Sequence, residues 1–136
     1  MNVKRRIFAA EFTYNINMTE ENTLLTTIIE GIQERKGKDI SIVDLSAMEY
    51  ATAQGFVICS GTSTMHVSAV ADCIQEYVEN HGGPKPFATD GYQNSQWIVL
   101  DYGTIYVHVF MPETRELYNL EQLWNDAEIT TVPNLD

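Results

Sequence analysis

The residue types that most often carry chemistry lie close together in one stretch of this sequence. Cys59, His66 and Cys73 are the residue types of a metal site or a thiol-based active site. Zinc sites use short spacings such as C-x-x-C or H-x-x-x-H, and neither occurs here. A catalytic cysteine needs an electropositive setting, whereas this sequence is strongly acidic. Both cysteines are therefore interpreted as apolar packing residues, and no metal site is predicted.

A second candidate is the turn Ser60-Gly61-Thr62-Ser63, which follows a predicted strand and opens a predicted helix. Backbone N–H groups at such a turn can hold an anion. A nucleotidyltransferase also needs two carboxylates, two residues apart on a later strand, to hold Mg²⁺. No such pair follows, and Asp90 and Asp101 stand alone. Gly61 is thus predicted to shape the turn, and neither catalysis nor a cofactor is predicted.

Trp97, Asp101 and Tyr102 lie close together in the sequence and suit a protein-binding surface. Trp and Tyr provide large contact areas, and a neighbouring carboxylate can pair with Arg or Lys of a basic partner. The alternative is that Trp97 belongs to the core, and the residues alone leave both interpretations open. Gly103 is predicted to be conformational, because a tight hairpin turn needs a positive φ.

The next predicted strand carries a second group of candidates. Tyr106, His108 and Phe110 alternate with apolar residues and therefore share one face of this strand. A single His in a strand is more often a packing residue, so the residues by themselves favour a structural role. The segment 115–118 is expected to cross the sheet edge near the hairpin. In it, Leu117 is interpreted as an apolar anchor for the last helix and Tyr118 as a binding candidate.

Charge excludes one large class of partners. The net charge is −11, and from Asp39 onward 14 acidic residues face only two basic ones, Lys85 and Arg115. Nucleic-acid-binding proteins neutralise phosphates with clusters of Lys and Arg, so direct nucleic-acid recognition is not expected. A basic protein is the partner that this composition suits, although an acidic composition also serves solubility.

The apolar spacing predicts one α/β domain with the element order α-β-β-α-β-β-β-α. We predict a flexible lead-in at residues 1–18, a domain at 19–127 and a frayed tail at 128–136. The domain divides into a helix at 19–36 and a core at 39–127. This order implies a mixed sheet of about five strands with flanking helices. The strands are predicted at 40–45, 56–59, 87–90, 97–101 and 104–110, and the later helices after Ser63 and, through an Asn119 and Gln122 capping box, at 119–124.

Composition also bears on the compartment. Two cysteines are too few for a disulfide framework, and no stretch is apolar enough for a membrane span. The apolar run near the N-terminus is too short for a secretory signal. We therefore expect a cytoplasmic protein with no membrane partner.

Four segments, in this order, resemble the ribosomal silencing factor family, also called Iojap-like proteins. Together they lie within 39–127, about two thirds of the chain. Any one of them is a weak signal, whereas four in order are specific, and the stretch around Trp97 and Tyr102 is the most distinctive. The segments are Asp39-Ile40-Ser41-Ile42-Val43-Asp44-Leu45-Ser46, Phe56-Val57-Ile58-Cys59-Ser60-Gly61-Thr62-Ser63, Trp97-Ile98-Val99-Leu100-Asp101-Tyr102-Gly103 running into Val107-His108-Val109-Phe110, and Arg115-Glu116-Leu117-Tyr118-Asn119-Leu120-Glu121 closing on Leu123-Trp124-Asn125-Asp126-Ala127.

The resemblance implies a bacterial protein with a nucleotidyltransferase-like fold that lacks the catalytic residues. It also implies docking on the large ribosomal subunit through the ribosomal protein uL-fourteen. There the protein would block joining of the small subunit and repress translation when nutrients are scarce. The implied binding residues are Trp97, Asp101, Tyr102, His108, Phe110 and Tyr118, and among them His108 and Phe110 would form the floor of the docking surface.

Alternatives to silencing share the same fold or docking site. They are a divergent nucleotidyltransferase-like enzyme and a large-subunit assembly factor. Separately, the sequence leaves open whether the protein forms a homodimer. The sequence departs from the family pattern at Gln54-Gly55 and at Met65-His66. The second departure puts in doubt any contact made from the start of the second helix.

Overall fold

A single mixed sheet with helices on both faces forms the described part of the chain. The structure, a computed structural model, describes residues 20–48, 51 and 53–135, so the predicted lead-in at 1–18 lies outside the described residues. The elements are α1 (Glu20–Glu34), β1 (Lys38–Asp44), β2 (Gly55–Ser60), α2 (Thr64–Asn80), β3 (Ala88–Asp90), β4 (Trp97–Asp101), β5 (Ile105–Phe110), α3 (Pro112–Tyr118), α4 (Leu120–Leu123) and β6 (Glu128–Val132). The predicted α/β class is confirmed.

The sheet has six strands in the order β3-β4-β5-β2-β1-β6. Strands β2 and β5 run parallel, with Ile58 opposite His108, and the other neighbours are antiparallel. A parallel pair needs a long crossover connection, and α2 lies in this one. The central β2–β5 pair therefore brings the two apolar runs that are distant in sequence side by side.

One face of the sheet is covered by the two long helices. Helix α1 buries Leu25, Ile28, Ile29 and Ile32, and α2 buries Val67, Val70, Ala71, Ile74 and Val78. These positions recur at helical spacing, so each helix has one apolar side. Ser63 caps α2, its side chain accepting a hydrogen bond from the His66 N–H. Both helices pack on the strand residues of the main core, which include Val57, Cys59, Val107 and Val109.

The opposite face carries a smaller core and most of the aromatic rings. Val43, Leu45, Ile58 and Phe110 are buried there, and Phe56, Trp97, Leu120 and Trp124 pack around them. The alternation predicted for β5 is confirmed, because Val107 and Val109 join the main core while Phe110 joins this one. In the described part of the chain, the short helices α3 and α4 and the β1–β2 connection, through Met48 and Ala51, pack on this face and leave part of it accessible.

The prediction of a frayed tail at 128–136 is wrong for its first half. Residues Glu128–Val132 form β6, which pairs with β1 and completes a sixth strand. Val132 is buried in the main core, and the Asn134 side chain accepts a hydrogen bond from the Asp39 N–H at 2.7 Å. The segment has only two strongly apolar residues, Ile129 and Val132, so its alternation is weak, and the free edge of β1 decides its structure.

The segment after β5 also differs from its prediction. Pro112 ends the strand, as predicted, but it also begins helix α3, because Pro suits the first turn of a helix. Segment 115–118 is therefore helical and does not cross the sheet edge as an extended chain. The predicted cap at Asn119 is confirmed, since its side chain accepts from the Gln122 N–H. Leu117 is exposed and anchors nothing, which corrects its interpretation.

Truncation after Ala127 tests whether β6 is part of the folded domain. Loss of the Val132 side chain from the core and of the β1 ladder bonds is expected to cost about 2–4 kcal/mol of unfolding free energy. Urea denaturation of the two chains measures the difference. Removing only residues 134–136 serves as the control and should cost less. Equal stability of the full chain and the longer truncation would show that the strand contributes nothing.

Candidate partner-docking surface

Trp97 is the centre of an aromatic cluster on the face covered by α3 and α4. It lies at the start of β4, in register with Phe110 of β5. Its ring stacks on Phe110 with centroids 4.9 Å apart, and the Tyr118 ring of α3 lies 4.9 Å away on a tilted plane. Trp97 is half-buried. It therefore joins the sheet to the accessible helix α3. The ring packs in part, and its role in binding stays a prediction.

A glycine in the β3–β4 connection determines how the backbone passes next to Trp97. Gly91 has a φ of +95°, and a Cβ built on it would lie 1.9 Å from the Trp97 carbonyl oxygen. No side chain fits in that space, and a positive φ also favours glycine. Glycine at position 91 therefore permits the backbone of the β3–β4 connection to pass close to the Trp97 carbonyl. Sequence reasoning missed Gly91, which stands among turn-forming residues without a recognisable motif.

His108 lies beneath the cluster and bonds directly to Trp97. The Trp97 Nε1–H donates to His108 Nδ1 at 3.0 Å. The imidazole is only 7% exposed, and the Phe56 ring meets it edge-on with centroids 5.2 Å apart. Burial without a charged partner lowers the pKa of His108 to about 4. The residue is therefore a neutral hydrogen-bond acceptor within the cluster and has little surface of its own for a partner.

Helices α3 and α4 present the exposed part of this region. Leu117 is 77% exposed, Tyr118 55% and Leu123 71%. These large apolar side chains lie on two successive short helices, and exposed apolar groups of this size are typical of interaction sites. We call Trp97, Leu117, Tyr118 and Leu123 the docking surface. Sequence reasoning included Trp97 and Tyr118 but missed both leucines, because their spacing equally suits a buried helix face.

Arg115 attaches the docking surface to the sheet. Its guanidinium donates to Glu121 from Nε at 3.2 Å and from Nη2 at 2.8 Å. Nη1 donates to the Asp39 carbonyl at 2.7 Å and to Ser60 Oγ at 2.9 Å, and Ser41 Oγ donates to Glu121 at 3.0 Å. Arg115 is on α3, Glu121 on α4, and the serines on β2 and β1. One planar, forked cation thus joins four elements.

The electrostatics of Glu121 follow from this geometry. Hydrogen bonds from Arg115 lower the pKa of the Glu121 carboxyl below its ordinary value, and partial burial opposes this effect. The charges of Arg115 and Glu121 neutralise one another within the network. The remaining exposed charges near the docking surface are acidic, namely Glu113, Glu116 and Asp126.

Asp101 and Gly103 have a turn-forming role. The Gly103 N–H donates to Asp101 Oδ1 at 2.8 Å, and Gly103 has a φ of +87°. The conformational prediction for Gly103 is confirmed. Asp101 lies at the far end of β4 from Trp97 and remains partly accessible. One Asp101 oxygen therefore stabilises the hairpin turn. This turn lies at the end of β4 that is distant from Trp97.

A residue that contacts a partner directly must be exposed, whereas Tyr102 and Phe110 are both buried. Tyr102 is 4% exposed and belongs to the main core on the helix side of the sheet, the face opposite Trp97. Burial, with a smaller contribution from Glu79, raises the pKa of Tyr102 to about 12. Phe110 is fully buried under Trp97. The expectation that Tyr102 is an exposed aromatic is therefore wrong, and Phe110 supports the surface from below.

The turn that raised the nucleotidyltransferase alternative has its leading N–H groups occupied. The Gly61 N–H donates to the Phe110 carbonyl at 2.9 Å, and the Thr62 N–H donates to His66 Nδ1 at 2.9 Å. A Cβ on Gly61 would lie 2.9 Å from the Val67 backbone nitrogen, so close packing on α2 explains this glycine. His66 Nε2 also lies 2.7 Å from the Arg35 carbonyl. The turn therefore connects elements of the fold.

The cysteines are packing residues, as predicted. Cys59 is fully buried, and burial raises the pKa of its thiol to about 12, so the reactive thiolate is disfavoured. Cys73 is partly buried, and burial raises its pKa as well. Within the described residues, no three His, Cys, Asp or Glu side chains gather as metal ligands. None of the helices in that same part of the chain has the length and apolar character of a bilayer-spanning segment.

The fold is that of an α/β domain with one mixed six-stranded sheet. The family model described as "Ribosomal silencing factor during starvation" matches residues 18–136. The chain belongs to the ribosomal silencing factor family, which confirms the resemblance found in the sequence.

Individual relatives agree with this assignment. A ribosomal silencing factor of Haemophilus influenzae is 35% identical over 101 residues, 74% of this chain and 97% of the relative. The Bacillus subtilis protein of the same name is 29% identical over 80% of this chain and 91% of its own length. Among solved structures, a Chromobacterium violaceum protein superposes with a TM-score of 0.73 at 28% identity, covering 79% of this chain and 88% of that one.

The Arg115 network predicts an acid-sensitive stability. Because the pKa of Glu121 is lower in the folded than in the unfolded chain, the unfolded chain binds more protons as the pH falls. The stabilisation is therefore present above the ordinary pKa of 4.5 and is lost as the pH falls through the lower, folded value. At neutral pH, Glu121→Gln is expected to lower the unfolding free energy by about 1–2 kcal/mol.

Urea denaturation at several pH values between neutral and acid measures this effect. The difference between wild type and Glu121→Gln should shrink as the pH falls below 4.5. Glu116→Gln is the matched control, because Glu116 is an exposed acid on α3. It should change stability little at any pH. A constant difference between wild type and Glu121→Gln across the range would contradict the assigned role of the carboxylate.

Proposed function

We propose that this protein binds the large ribosomal subunit through the ribosomal protein uL-fourteen and sterically blocks joining of the small subunit. It would thereby repress translation under nutrient limitation, on the ribosomes of a bacterial cytoplasm. The docking surface makes the contact. The observation that carries the proposal is the exposure of Leu117, Tyr118 and Leu123 on α3 and α4, where Tyr118 contacts half-buried Trp97 on the sheet face opposite the long helices.

The chemistry of the docking surface supports a protein partner. Aromatic and large aliphatic side chains with a fixed scaffold beneath them are the usual centres of protein interfaces. Tyr118 and Trp97 contact each other, and Trp97 rests on buried Phe110. The side chains at the centre are thus held in place before binding, which reduces the entropy that association costs.

The charge around the docking surface supports a basic partner. Glu113, Glu116 and Asp126 are exposed on or beside α3 and α4, while Arg115 is engaged with Glu121. Acidic residues at the rim of an interface speed encounter with a cationic protein and repel bare nucleic acid. Ribosomal proteins that contact rRNA are a natural source of such basic surfaces.

The names of the relatives support silencing and also one alternative. The bacterial relatives are named ribosomal silencing factors. A mouse relative, 30% identical over 71% of this chain and 43% of its own length, is named mitochondrial assembly of ribosomal large subunit protein 1. Large-subunit assembly is therefore the second candidate, and it would use the same docking surface.

We propose binding without catalysis. A nucleotidyltransferase-like enzyme would hold nucleotide phosphates at the Gly61 turn, whereas the Gly61 and Thr62 N–H groups already donate within the fold. Asp90 and Asp101 lie on different strands, and one oxygen of each already accepts a backbone N–H. A nucleotide titration with Mg²⁺ that gave a saturating signal at the turn would favour the enzyme alternative.

Co-sedimentation with purified large and small subunits tests the proposed function. The wild-type chain should sediment with large subunits only, and the binding should weaken as salt rises, because acidic rim charges contribute. Replacing Leu117 and Tyr118 together by Ser is expected to weaken binding by about a hundredfold, as for the central residues of an interface. Both residues are exposed, so the variant should stay folded.

Met65→Ser is the matched control for this experiment. Met65 is as exposed as Leu117 but lies on α2, on the opposite face of the sheet. It should bind like the wild type. If Met65→Ser abolished binding and the double variant kept it, the docking surface would lie on the helix side of the sheet.

A further experiment distinguishes silencing from an assembly role. Silencing predicts capture by isolated uL-fourteen and fewer intact ribosomes when the subunits are mixed, whereas an assembly role would leave joining of mature subunits unchanged.

A further inference from the structure

We propose that His108 is a positioning residue that holds the Trp97 ring in the orientation in which it meets the ribosomal partner. The hydrogen bond from Trp97 Nε1 to His108 Nδ1, together with the stack on Phe110, sets this orientation. The proposal deepens the proposed function and rests on it, because it concerns the same docking surface. The family resemblance implies that His108 lies on the floor of the docking surface, and the proposal gives it a specific task there.

The sheet geometry places these two side chains within reach of each other. On the antiparallel strands β4 and β5, Trp97 is opposite Phe110, and Val99 is opposite His108. Trp97 and His108 are therefore diagonal neighbours on one face, a separation that long aromatic side chains span. The indole lies over Phe110 and extends towards the imidazole, with the Trp97 and His108 centroids 5.9 Å apart.

The hydrogen bond selects one ring orientation for Trp97. An indole has a single N–H donor, and this one is directed into the sheet at the buried Nδ1 atom. If the indole rotated, its donor would leave the acceptor, and the buried Nδ1 would lose its partner, which is costly at a buried site. In the bonded orientation the ring also contacts Tyr118, with centroids 4.9 Å apart.

The surroundings of His108 keep it in the accepting state. Because Nδ1 accepts, the ring proton is on Nε2, which has no hydrogen-bond partner among the described residues. The rings in contact with the imidazole are Phe56 of β2, Trp97 of β4 and Phe110 of β5, and none is charged. The cavity beside it, about 390 Å³, has Tyr106 as its other ionisable lining residue. Burial lowers the pKa of His108 to about 4, so the acceptor is present at neutral pH.

Two substitutions separate the acceptor from the bulk of the ring. His108→Asn keeps an oxygen acceptor close to the position of Nδ1, whereas His108→Leu keeps apolar volume without any acceptor. We expect the Asn variant to bind large subunits within about twofold of wild type, and the Leu variant to bind about tenfold more weakly. Urea denaturation confirms that each variant is folded at the assay temperature, which removes loss of fold as an explanation.

The Trp97 indole N–H resonance reports the hydrogen bond without any partner. In ¹⁵N-labelled protein it should be shifted downfield and exchange slowly in wild type and His108→Asn, and lose both properties in His108→Leu. In the wild type, lowering the pH through about 4 should produce the same loss, because a protonated Nδ1 no longer accepts. Trp97→Phe identifies the resonance.

The outcomes separate this proposal from the proposed function. Normal binding by His108→Leu, or an indole resonance that this variant leaves unchanged, overturns the positioning role. Equal weakening in the Asn and Leu variants also overturns it, because it would show a need for the imidazole itself. If the wild-type chain fails to bind large subunits, the proposed function is wrong, and the indole resonance still decides whether His108 holds Trp97.

Discussion

The docking surface depends on one cation. Helices α3 and α4 have seven and four residues, and helices this short are not stable by themselves in water. Arg115 joins both of them to the sheet through Glu121, Ser60 and the Asp39 carbonyl. Because only 14% of its side chain is exposed, these bonds are shielded from solvent. Without this attachment, the exposed leucines would have no fixed relation to Trp97.

The two faces of the sheet are covered differently. On one face, α1 and α2 bury a continuous aliphatic core that stabilises the domain. On the other, a smaller core carries the aromatic rings, and in the described part of the chain the two short helices and the β1–β2 connection pack on it. Trp97 connects this core to the accessible helix α3, since its ring packs on Phe110, bonds to His108 and contacts exposed Tyr118. A surface built this way is accessible and yet rigid.

The chain belongs to the ribosomal silencing factor family. At the turn where the nucleotidyltransferase alternative would hold phosphate, the Gly61 N–H donates to the Phe110 carbonyl and the Thr62 N–H donates to His66. Accessible, chemically distinctive residues are found instead at the aromatic face. Fold and function have to be argued separately, here from the residues that each face presents.

The sequence by itself determined the elements with strong local signals. The periodicity of α1 and α2, the strand alternation of β5, the Gly103 turn and the Asn119 cap were all predicted, because each depends on neighbours a few residues apart. The four segments in the order of the family identified the family, and they contain Trp97 and Tyr118. Only the tertiary structure decided that β6 forms, that Tyr102 is buried on the helix side and that His108 supports Trp97. These features depend on a free sheet edge, on the face to which a residue next to a turn is directed, and on contacts between strands, which local spacing does not encode.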